Sequence, residues 1–187
     1  MLILKEKDTV YIALSGTTYL CTGSADPEWA TEEENLAVWK VPNEDNIIVG
    51  MSGCHFIGDL FRYDEDFIRG ELTQEKIILE VIPKIKKRLR RYDSLKKNDE
   101  MHASFVFAQK DRAFYVGKGF SCSEIEQFDV SGTGGKYAYS TFRLSEGLPP
   151  EQRLLFVDHL IKKGMNYPGF PLKVINTKTC KPYIIKP

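Results

Sequence analysis

The feature that most restricts the fold is the order in which helical and extended patterns follow one another. Helical periodicity occurs in two pairs, each bracketed by short apolar runs of strand length. Residues 2–4 and 10–14 read as strands joined by the polar turn Lys7-Asp8-Thr9, the second ending at Ser15-Gly16. Residues 21–34 are polar, contain Asp26-Pro27 and read as a loop. A hairpin follows, with strands over 35–41 and 47–51 around the turn Pro42-Asn43-Glu44-Asp45-Asn46. A helix is expected over 54–67, with Phe56, Ile57, Leu60 and Phe61 on one side. Thr73 is placed to cap a longer helix reaching Arg91, whose buried face is Ile77, Ile78, Val81, Ile82, Ile85 and Leu89. Pro83 lies inside that pattern and should kink or break it.

The second half repeats the order. Strands over 103–108 and 113–117 precede a polar connection and the Gly-rich turn 130–135, which opens a helix running to about Leu144. Pro149-Pro150 starts another helix, apolar at Leu154, Leu155, Val157, Leu160 and Ile161 and closed by Gly164; a strand over 172–176 ends the pattern. Paired helices suit a doubly wound parallel sheet poorly. The sequence predicts a single α+β domain over residues 1–187, a four-layer α-β-β-α sandwich in which two packed sheets carry a helix pair on each outer face.

Composition narrows the function classes. Lys plus Arg and Asp plus Glu are both 26, so formal net charge is zero, which argues against nucleic acid as a partner. The basic run at 84–91 reads as the solvated, dipole-favoured end of its helix. No apolar stretch approaches the roughly 20 residues that would span a bilayer, and Lys5, Glu6 and Lys7 interrupt the N-terminal segment too early for a signal peptide. A cytoplasmic protein without a membrane partner is expected. Cys21, Cys54, Cys122 and Cys180 are scattered, and His55, His102 and His159 show no ligand spacing, so neither a metal nor another cofactor is expected.

Three segments resemble a known family. Ile47-Ile48-Val49-Gly50-Met51-Ser52-Gly53 before a helix resembles the strand-then-Gly lead into the first helix of proteasome subunits. Val130-Ser131-Gly132-Thr133-Gly134-Gly135 resembles that family's Gly-rich turn into its third helix, and the hairpin over 105–116 precedes it at matching length. The similarity runs over roughly residues 2–178 and points to proteasome β-type subunits and related bacterial protease rings, within the N-terminal-nucleophile hydrolases.

The resemblance implies a definite chemistry: an N-terminal Thr attacks an amide, its own α-amino group serves as base, and an acid and a lysine on the next strands complete the site. In this chain the first strand starts with Met1 and Leu2, the acid position holds Ser15, and the lysine position falls near Ala37. Lys40 is three positions away, on the opposite strand face. The serine of the Gly-rich turn corresponds to Thr133, and the late aspartate falls near Asn166. Ser15-Gly16-Thr17-Thr18 resembles the junction at which family propeptides cut themselves, which makes Thr17 the second candidate site residue; Cys54 beside His55 is a weaker nucleophile pair.

The expectation is a proteasome-subunit-like protein that has lost threonine-peptidase activity and serves as an assembling scaffold or binding protein, with peptides or proteins as partners. The alternative is an active N-terminal-nucleophile peptidase or amidohydrolase, through internal processing or atypical site residues. The apolar set over 54–89 predicts a homo-oligomer formed by helix packing.

Overall fold

A computed structural model of the chain describes residues 1–15, 38–44, 46–95, 98–131, 135–165 and 171–186. Its strands are β1 (Leu2–Glu6), β2 (Thr9–Ser15), β3 (Val38–Lys40), β4 (Ile47–Gly53), β5 (Ala103–Gln109), β6 (Arg112–Val116), β7 (Cys122–Glu124), β8 (Phe128–Val130), β9 (Leu172–Asn176) and β10 (Tyr183–Ile185). They form two antiparallel five-stranded sheets, ordered β10-β9-β2-β1-β8 and β3-β4-β5-β6-β7. The helices are α1 (His55–Arg62), α2 (Gln74–Lys76), α3 (Ile82–Arg91), α4 (Gly135–Leu144) and α5 (Pro150–Met165).

The apolar runs are unbroken because both faces of the inner strands are covered. Successive residues point to opposite faces, so Ile47, Val49 and Met51 join one core with Ile57, Phe61, Ile77 and Ile85 from the helices, while Ile48 joins another. That second core draws Ile3, Val10 and Ile12 from the first sheet and Val106, Ala108 and Ala113 from the other. A third core packs Leu2, Leu4 and Val174 against Ala138, Phe142, Leu154 and Val157 of α4 and α5.

Several boundaries differ from the sequence reading. α1 stops at Arg62, five residues short of Phe67, yet Phe67 is still buried and stacks on Phe61 at 4.6 Å. Pro83 does not break the helical run, which is continuous over 74–91: the turn before it, Ile77–Val81, is wound as π-helix, and the Ile82 amide donates to Ile77 O. Proline lacks the donor that an α-helical turn would need there, and the wider turn relieves that conflict. Gly164 does not end its helix, which runs to Met165. The supposed polar connection after β6 contains β7 and β8, and β10 extends the chain's last strand pair. The apolar set over 54–89 is largely spent on the protein's own core; Phe56, Ile78 and Leu79 remain exposed from it.

Candidate functional site

The start of β1, the end of β4, the start of β5 and the residue after β8 converge. The Met1 α-amine donates to Ser131 O at 3.0 Å, and the Ser131 amide donates to Met1 O at 3.0 Å, continuing the β1–β8 ladder by one position. The Met1 side chain packs on the core between the sheets. Room for it comes from Gly50: a Cβ there would stand 2.6 Å from the Met1 sulfur.

Three serines meet beside this contact. Ser52 and Ser104 are directly paired across β4 and β5, with their hydroxyls 2.8 Å apart. Ser131 Oγ lies 2.8 Å from Ser104 Oγ and is also in hydrogen-bond contact with Ser52 Oγ. Each hydroxyl owns one proton and can accept another's, so three mutual contacts form a closed ring of donors and acceptors. Ser104 and Ser131 are buried, and Ser52 is partly exposed.

Electrostatics at the amine come from α5. Asp158 and Lys162, one helical turn apart, form a buried ion pair at 2.5 Å. Burial pushes the Met1 amine down to about 6, and the Asp158 carboxylate offsets only part of that fall. The amine is therefore mostly neutral at pH 7 and has the basicity to accept a proton. What it lacks is a nucleophile on its own strand, since residues 1–6 contain no Ser, Thr or Cys.

The residues singled out in the sequence fare unequally. Thr17, Thr133, Ala37 and Asn166 lie outside the described residues. Ser15 ends β2 opposite Leu172, and Lys40 ends β3 as an exposed residue. Cys54 is the half-buried N-cap residue of α1 with a free thiol, and His55 is that helix's first residue. Among the described residues no group of three His, Cys, Asp or Glu is placed to hold a metal ion. The sequence reading missed the serine ring and the Asp158–Lys162 pair. Their traces were present: Ser104 interrupts an apolar run, and Asp158 and Lys162 sit at i,i+4 spacing beside buried Leu154 and Val157.

No family model and no curated protein matches this sequence. Solved structures do. BPH from Thiobacillus denitrificans in complex with epoxomicin superposes with a TM-score of 0.74 at 15% identity, covering 100% of this chain and 98% of that one. Anbu (ancestral beta-subunit) from Yersinia bercovieri gives 0.66 at 13% identity, covering 99% and 86%. Eukaryotic HslV from Trypanosoma brucei gives 0.62 at 12% identity, covering 94% and 97%. The fold is that of the proteasome-type subunits. In this chain β1 begins at Leu2, with Met1 immediately before it.

Proposed function

We propose that this chain is a proteasome-subunit-like protein, layered α-β-β-α, that lacks threonine-peptidase activity and acts in the cytoplasm as an assembling homo-oligomeric scaffold or peptide-binding protein. The observation that supports this reading is the start of β1: the Met1 thioether packs against the core between the sheets, and residues 1–6 offer no hydroxyl or thiol to attack an amide. The three cores, each shared by different elements, support the layering.

A working hydrolase would need either of two departures. Cleavage at Gly16-Thr17 would cut away β1 and β2, and β2 is the central strand of its sheet. Attack by the serine ring would have to use hydroxyls of which two are buried and all three already engage one another.

The test is an assay of the full-length chain on fluorogenic peptides, beside Thr17→Ala, with epoxomicin, present in one of the similar structures, as probe. The expected result is no turnover above background and an intact mass of 21.4 kDa before and after epoxomicin. Turnover that epoxomicin blocks and Thr17→Ala lacks would establish processing at Thr17 instead. Epoxomicin-sensitive turnover that survives Thr17→Ala but not Ser52→Ala would assign the activity to the serine ring.

A further inference from the structure

Two lysines break the inside–outside pattern at one edge of the sheet pair. Successive strand residues face opposite ways. In β9, Val174 packs towards α4 and α5 and Ile175 packs between the sheets, so Lys173 takes the inward face of Ile175. In β3, Trp39 packs towards α1 and Val38 between the sheets, so Lys40 shares the inward face of Val38. An inward charge guards an edge strand against pairing with another chain, and that accounts for Lys40, because β3 is the edge of its sheet. It does not account for Lys173. β9 is hydrogen-bonded on both sides, to β2 and to β10. Lys173 is partly buried, and among the described residues it has no carboxylate within ion-pair distance.

Both lysines line a cavity of about 170 Å³, together with Leu14, Val38, Ile175 and Pro182. The two charges come from opposite walls, since β9 and β3 belong to different sheets. Ile184 of β10, paired with Lys173, is 61% exposed, so the second sheet does not reach over that side. Met1, Ser52, Ser104 and Ser131 do not line the cavity, which is therefore separate from the candidate site. A cation set among apolar side chains gains most from a charge-assisted bond to an anion that brings apolar surface with it.

We propose that this cavity binds a small monocarboxylic acid, with its carboxylate on Lys173, Lys40 on the facing wall, and its apolar body against Leu14, Val38 and Ile175. An apolar cavity of about 150 Å³ takes up benzene, so the body that fits is one ring or a chain of about six carbons. A second carboxylate on that body would be buried among apolar groups and should exclude the ligand.

The test is methyl NMR of the full-length chain titrated with hexanoate, hexanamide and adipate. Hexanoate should bind with a Kd on the order of 1 mM or tighter. It should shift the Leu14, Val38 and Ile175 methyls and leave those of Ile57 and Leu154, in the other two cores, unmoved. Hexanamide and adipate should each bind about tenfold more weakly. Lys173→Met keeps an unbranched stem in the cavity wall, so it should melt no lower than wild type and bind hexanoate no better than hexanamide. Equal binding of hexanoate and hexanamide, shifts confined to the other cores, or no shift at all would overturn the assignment on the wild-type chain, whatever the variant does. So would a folded Lys173→Met chain that binds hexanoate as the wild type does. Peptide turnover, by contrast, would overturn the scaffold reading and leave this cavity's ligand untouched.

Discussion

Gly53 shows how one residue fixes the geometry around the candidate site. It ends β4 opposite Ala103 with φ of 121°, and a Cβ there would lie 2.3 Å from His102 O. That carbonyl also accepts the Cys54 amide at 3.0 Å, which seats the first turn of α1 on the start of β5. Gly53→Ala meets backbone strain and a backbone clash together, so a loss of about 2–4 kcal/mol is expected in urea unfolding. A loss under half a kilocalorie would mean that the β4–α1 junction is not built this way. Met1 sets a second residue-scale expectation. Its amine titrates near 6 when folded and near 8 when exposed, so the unfolded chain binds more protons between those values. Stability should therefore rise as pH goes from 6 to 8, be fully present above 8 and be lost as pH falls through 6, by about 1–3 kcal/mol. Unfolding at pH 5.5 and 8.5, compared between the chain with a free Met1 amine and its acetylated form, reads this directly. Equal pH slopes in the two forms would contradict it.

At the scale of elements, the sequence was most legible where period and length agreed. β4 and β5 are seven residues each with cores on both faces, and apolar runs, interrupted in β5 by Ser104, announced them. The second helix pair was legible from its openings: α4 starts at Gly135 and α5 at Pro150. What failed were short edge elements. β7, β8 and β10 are three residues each and only partly buried or exposed, so neither period nor hydrophobicity marks them; pairing to an inner strand makes them strands. The π-helical turn was illegible for a different reason. Pro83 signals a conflict with α-helix geometry, but whether the chain kinks, breaks or widens depends on Ile77 and Val81 staying in the core, a tertiary condition. The serine ring escaped notice because its members are 27 to 79 positions apart, and register alone brings them together.

For the molecule as a whole, the decisive question is whether the chain can survive losing its first sixteen residues, since every revival of Thr17 as an N-terminal nucleophile requires that. β1 and β2 are adjacent inner strands, with β8 on one side and β9 on the other. Their removal would part those neighbours and strip Ile3, Leu4, Val10 and Ile12, all fully buried, from two of the three cores. At roughly 1.5–3 kcal/mol per buried aliphatic side chain, those four account for on the order of 6–12 kcal/mol. That is comparable to the whole net stability of a typical domain, about 5–15 kcal/mol. A chain spanning 17–187 is therefore expected to be insoluble or unfolded when expressed alone, with no cooperative melting transition by circular dichroism. A soluble 17–187 chain with a sharp transition and epoxomicin-sensitive turnover would show that the first hairpin is a removable leader and that the site begins at Thr17. Without that result, β1 and β2 are structure: their side chains fill two of the cores, and Met1 packs against the one between the sheets.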